Sequence, residues 1–189
     1  IKGSELTRLL NFTDAVVAVA ITLLVVSLTD IFNKSRYVNI MNIINNYNFY
    51  ETLLSFLISF FVIYSFWKVH RQLFSNVHVI SKSLETVNSF WLLTIITIPA
   101  TTLINLSSQT NLGIYIFLSV LLINSVLLQF MKIKLKSRYK IYNNSFLIAV
   151  ILAIILITIF PVFGANVYFV LLMSILLRRF FPKIFYDYK

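Results

Sequence analysis

The sequence predicts an all-α, polytopic membrane protein in which six helices of a single domain cross the bilayer and both chain ends lie in the cytoplasm. Three observations predict it. Apolar residues make up 59% of the 189-residue chain and the mean hydropathy is +0.89, more apolar surface than one soluble core of that size can cover. Six stretches are long and apolar enough to span the hydrocarbon layer, which takes roughly 17 to 25 residues. The 16 Lys and Arg residues sort by alternate loops, as basic residues held on the cytoplasmic side do.

The spans run 12–29, 49–67, 87–104, 112–131, 145–160 and 162–177. The first is too long for a signal peptide and no small-residue cleavage site follows it. Before the second, Val38 to Tyr50 alternates Ile, Met and Tyr with five Asn, which predicts a short interfacial amphipathic helix. The third carries Pro99, the one candidate break. The fourth leads into Lys132 to Lys140, basic at every second position; this reads as a topology determinant, with an anionic-lipid site as the alternative. The fifth and sixth are separated only by Pro161 to Asn166, which predicts a helical hairpin with a tight turn. With this count, Lys2, Arg8, Lys68, Arg71, Lys82, Lys132, Lys134, Lys136, Arg138, Lys140, Arg178, Arg179, Lys183 and Lys189 share one side, and only Lys34 and Arg36 take the other. Merging two spans would scatter them over both faces. No soluble domain or internal repeat interrupts residues 1–189.

Composition also excludes. Without Cys there is no disulfide, thiolate metal site or Cys nucleophile. The acids are Glu5, Asp14, Asp30, Glu51, Glu85 and Asp187, and the histidines are His70 and His78. No metalloprotease helix, nucleophile elbow or Gly-rich phosphate loop is present, so we expect neither an enzyme nor a cofactor or metal site. The net charge of +10 sits outside the spans, in loops and terminal segments, so it argues for a bilayer partner and against nucleic acid.

The unusual chemistry gathers at the cytoplasmic end of the first helix, in Arg8-Leu9-Leu10-Asn11-Phe12-Thr13-Asp14. An ionised carboxylate at the edge of the hydrocarbon is costly unless a cation, donor or water meets it. Arg8, six residues from Asp14, falls well off its helical face, so other helices must supply partners. Trp67, His70 and Phe74 share one face of the second helix at the same depth, and Asn88 enters the third there. Singly these are ordinary interfacial anchors; together they suggest a hydrogen-bonded packing network.

The first-helix pattern R-x-x-x-F-[ST]-D, followed by a run ending A-I-T-L-L-V, resembles the signature of the transmembrane protein 175 family, the lysosomal and prokaryotic potassium channels. The second-helix Phe66, Trp67 and His70 are similar to that family too, with Asn88 and Pro99 as weaker echoes. Thr13 stands where the family usually has Ser, and Ala15 where many prokaryotic members have Gly. The resemblance implies a homotetramer of six-helix subunits, the first helix of each lining a potassium-permeable pore. A single unit resembles the prokaryotic form, in a plasma membrane. With only Gly3, Gly113 and Gly164, no segment suits a carbonyl-lined T-V-G-Y-G filter. Ala15, Val19, Thr22, Leu23 and Val26 form one stripe of the first helix. By resemblance, Val19, Leu23 and Val26 match the hydrophobic constriction and Thr22 the pore threonine; by periodicity alone the stripe is equally ordinary packing. Asp30 is a candidate acidic ring at the outer mouth, or a solvated turn residue. Two other classes stay open: a secondary transporter with an Arg8, Asp14 and His70 relay, and a non-conducting structural membrane subunit.

Overall fold

The computed structural model describes residues 3–34, 47–108, 110–135, 145–162, 170, 171 and 173. Every regular element among them is a helix: α1 (Gly3–Lys34), α2 (Tyr47–Phe74), α3 (Lys82–Ser107), α4 (Leu112–Lys134) and α5 (Ser145–Ile159). The first four are long and apolar enough to cross a membrane, and α5 is a shorter apolar helix. The protein is an integral membrane protein. Each of the first five predicted spans falls within one helix, save that α5 stops one residue short of the fifth. The sixth, 162–177, lies outside the described residues except for Val162 and positions 170, 171 and 173. Residues 38–46 of the expected interfacial helix and the side chain of Asp30 are likewise outside them, and Tyr47 to Tyr50 belong to the first turn of α2.

Local chemistry explains the helix ends. Ser81 adopts an extended conformation and its hydroxyl accepts from Leu84 N at 3.3 Å, capping α3 by meeting one of the orphan first-turn donors. α5 stops at Ile159 because Phe160 precedes Pro161, and a residue before proline is pushed out of the helical region. Pro161 and Val162 are in 3₁₀ conformation. At 32 residues, α1 is about 48 Å long, so it extends past the bilayer core.

The helices alternate in direction. Asp14 near the start of α1 meets Trp67 near the end of α2, which in turn lies beside the start of α3 through His70 and Asn88. Phe66 packs edge-on to Phe146 at the start of α5. At the opposite end Asn111 Nδ2 donates to Pro161 O and Tyr115 Oη to Thr158 Oγ1. Arg8, Lys68, Arg71, Lys82, Lys132 and Lys134 therefore gather at one end of the bundle, and Lys34 at the other.

α3 is the hub: it packs against α1, α2 and α4, most extensively against α4, which in turn packs on α5. Its buried face runs Asn88, Trp91, Ile95, Ile98, Thr102 and Asn105 at the three- and four-residue steps of one helical face. Pro99 is tolerated within α3 because surrounding protein, not lipid, faces the interrupted ladder. Thr101 and Thr102 both donate to Ile98 O at 2.9 Å, and the buried Ser59 hydroxyl of α2 lies 2.8 Å from that of Thr102. Because the Thr102 proton is already directed at Ile98 O, Ser59 is the donor.

The backbone of α3 comes close to α4 at Gly113. A Cβ there would lie 2.6 Å from Asn105 Cα and 3.1 Å from Ile104 O, both backbone atoms. Gly113→Ala is therefore expected to push the hairpin apart and destabilise the fold by about 1–3 kcal/mol, read as a lower melting temperature in detergent; an unchanged melting temperature would refute the close approach.

Candidate functional site

The site is built where the basic ends of α1, α2 and α3 converge. Thr13 is fully buried, and its hydroxyl donates to Leu9 O one turn back at 2.9 Å. Its oxygen is then available only as an acceptor, and Asn88 Nδ2 donates to it at 3.2 Å. That fixes the amide of Asn88 with Oδ1 toward His70 Nε2, 2.6 Å away, so Nε2 carries the proton. One threonine, one asparagine and one histidine thus join α1, α3 and α2 through hydrogen bonds of assigned direction.

Beside it, Trp67 Nε1 donates to Asp14 Oδ1 at 2.7 Å, supplying the donor that a carboxylate at this depth requires. The Arg71 guanidinium lies over the Trp67 ring, 5.3 Å from its centroid, a cation–π contact that puts positive charge near the carboxylate's donor. Arg8 stands apart: its side chain is exposed, and among the described residues no hydrogen bond or ion pair reaches it. The expected network therefore contains Thr13, Asp14, Trp67, His70 and Asn88 within the subunit, without Arg8. The reason is the helical phase, since Arg8 projects about 120° away from Asp14. Phe12 also faces outward, 61% exposed. Asp14 and His70 bond to Trp67 and Asn88 respectively, not to each other, so the three members of the relay alternative are not joined in the subunit.

Sequence reading missed a second network continuous with the first. The His70 ring stacks on Trp91 at 4.3 Å and 12°, and contacts Phe74 at 4.6 Å. Trp91 Nε1 donates to Asn124 Oδ1 at 3.0 Å, Asn124 Nδ2 donates to Thr94 Oγ1 at 2.7 Å, and Thr94 Oγ1 donates to Trp91 O at 2.7 Å. A signal existed: Asn124 is an amide in the middle of an apolar span, which is costly without partners.

The stripe on α1 has a definite place. Ala15, Val19, Thr22, Leu23 and Val26 are all exposed in the subunit, Val19 by 54%, whereas Val17, Ala20 and Leu24 are buried, Val17 at 2%. Thr22 Oγ1 donates to Val19 O at 2.7 Å. Its proton is thereby held against the helix, and its lone pairs remain for the exposed side. Thr29, seven residues on, repeats this by donating to Val26 O at 2.8 Å; it was not singled out from the sequence. Among the described residues no cluster of His, Cys, Asp and Glu could hold a metal ion.

Comparisons with known proteins bear on the family and the fold. The family described as endosomal/lysosomal potassium channel TMEM175 matches residues 8–99, which include α2, Thr13, Asp14, Asn88 and the exposed stripe. A crystal structure described as a lysosomal potassium-selective channel TMEM175 homolog from Chamaesiphon Minutus is similar in fold, with a TM-score of 0.72 and 21% identity, over 93% of this chain and 98% of that one. Among curated proteins nothing matches.

Asn88 serves two partners and is fully buried, whereas Asp14 serves one and is half-buried. Asn88→Leu is expected to destabilise by about 1–3 kcal/mol, the cost of the Thr13 and His70 groups it orphans, and to lower the melting temperature more than Asp14→Ala. The reverse order in a thermal-shift measurement would show that the interfacial carboxylate, not the amide, holds the three helices.

Proposed function

From the match of residues 8–99 to the TMEM175 family model and the fold shared with a channel homolog, we propose that the protein is a member of that family and a potassium-permeable cation channel, favouring potassium over sodium. In this reading it is a homotetramer in a prokaryotic plasma membrane, with its basic end in the cytoplasm and α1 of each subunit lining a central pore. The observation that carries the reading is the division of α1 into two faces. One is buried on α2 and α3; the other presents Ala15, Val19, Thr22, Leu23 and Val26 outward. One such stripe cannot enclose a conduit, but several copies arranged by a closed rotation can.

The proposed mechanism follows from side chains, with potassium as the permeating ion. Val19, Leu23 and Val26 form an apolar constriction, where a cation cannot exchange its hydration shell for protein oxygens and the pore closes by dewetting. Thr22 lies among them with its proton on Val19 O, so each subunit offers the permeating ion an acceptor oxygen. Asp30, one turn beyond Val26, is the proposed acidic ring that concentrates cations at the outer entrance. The constriction sets the closed state and the hydroxyl ring the discrimination.

Leu23→Asn or Val19→Asn is expected to raise basal current several-fold in planar bilayers by wetting the constriction. Thr22→Val should leave assembly intact and reduce the potassium-to-sodium permeability ratio by about fivefold, the equivalent of one lost hydrogen-bonding oxygen at roughly 1 kcal/mol. Asn at Val17 or Leu24 should lower thermal stability without raising current, because those positions are buried inside the subunit. Equal gains in current from both faces would mean that α1 does not line the pore.

Assembly is tested separately by native mass measurement in nanodiscs. The expected particle has four times the 21.9 kDa mass of the chain; a conducting monomer or dimer would end the tetrameric reading.

A further inference from the structure

A pore built from α1 works only if that helix is held at one rotation about its axis, since a turn of one residue brings a different set of side chains to the axis. Apolar packing on α2 and α3 is a weak way to hold it, because in a bilayer lipid tails compete with Val and Leu as neighbours. Directed side-chain contacts reach α1 from Trp67 Nε1, which donates to the half-buried Asp14, and from Asn88 Nδ2, which donates to the fully buried Thr13; the second ties the rotation of α1 to how the Asn88 amide is aimed. Asn88 is aimed by His70 Nε2, and His70 is an imidazole lying flat against an indole.

A ring stack fixes the plane of a ring but only loosely its angle within that plane. The indole of Trp91 is fixed in both respects, because its N–H is directed at Asn124 Oδ1, whose amide is itself oriented by Thr94. Removing the Asn124 acceptor frees the indole to tilt in its buried slot. The imidazole between Trp91 and Phe74 must then follow. Its Nε2 leaves the Asn88 oxygen, Asn88 turns, and Thr13 loses its donor. The two asparagines thus form one relay from α4 through α3 and α2 to α1.

We propose that Trp91 and Asn124 are positioning residues that fix the rotation of α1 through His70 and Asn88, and with it the stripe presented to the conduction path. The proposal goes beyond the channel reading and rests on it for its consequence in current, though not for the orientation of α1.

The chain lacks cysteine, so introduced thiols report without background. Spin labels at Thr7→Cys on α1 and Ile133→Cys on α4, both exposed, are placed in the assembled protein in liposomes, diluted with unlabelled chain so that the distance within one subunit dominates. Asn124→Leu, which removes the acceptor, and Trp91→Phe, which keeps a ring but removes the N–H, are expected to broaden or shift that distance. Both are expected to change open probability by about threefold to tenfold. Ser125→Ala is the packing control: Ser125 is as buried as Asn124, but its hydroxyl serves Leu121 O on its own helix, and its distance distribution should match the parent. Trp91→Phe carries the test should Asn124→Leu fail to fold. An unchanged distance distribution in either folded variant overturns the proposal whatever the currents do. A shifted distance with native currents supports the positioning of α1 and counts instead against α1 as the pore helix.

Discussion

The hydrogen bonds of Asn88 are the constraint on which the rest of this bundle depends. In water an exposed amide at that position would exchange partners freely and contribute little. Inside a membrane protein the alternative to a partner is an orphaned polar group, and that asymmetry makes the amide a strict selector of geometry. Because Thr13 spends its proton on Leu9 O, Asn88 can be satisfied in one orientation only, with its oxygen on His70. Three helices are thereby fixed in relative depth and rotation by two contacts between them. The apolar remainder of their interfaces, from Val17 and Ala20 on α1 to Ile95 and Ile98 on α3, packs around that register.

The same logic recurs along α3. Asn124 repeats the role of Asn88 against Trp91 and Thr94, and Ser59 meets Thr102 beyond Pro99. Each link uses a hydroxyl whose proton is already committed to a carbonyl of its own helix, which turns a two-way group into an acceptor of known direction. Single bonds of this kind in membranes are worth little, commonly below about 1 kcal/mol. Their value here is specificity: they admit one register among the many that near-uniform apolar surfaces would allow.

This arrangement leaves α1 with two unlike faces. The face held by Thr13 is buried, and the opposite one carries Val19, Thr22, Leu23 and Val26 outward. A helix anchored at its basic end and bare along one side suits assembly around an axis. In the proposed channel, anchoring and conduction use the same chemistry: back-bonding to Val19 O commits the Thr22 proton and leaves its oxygen as an acceptor on the exposed face.

By itself the sequence determined the class of solvent, the positions of the long helices and their alternation, because spans, loops and basic residues are read from composition along one dimension. It also determined that Asp14, Trp67, His70 and Asn88 sit at a common depth, since depth follows from distance to a span's end. Partnership was beyond it. Whether Asp14 bonds Trp67 or His70, whether Arg8 joins them, and which amide oxygen faces which ring depend on helix rotation and crossing, and in a helix apolar nearly all round periodicity carries no rotational information. Asn124 was visible as a polar residue in an apolar span, but Trp91 was not, because a tryptophan near a span's end reads as an interfacial anchor until packing places its ring against His70. The faces of α1 were decided the same way: the stripe could be written down from residue spacing, but only the packing of α2 and α3 against Val17, Ala20 and Leu24 selects it as the uncovered side, because burial is a property of neighbours that no single helix contains.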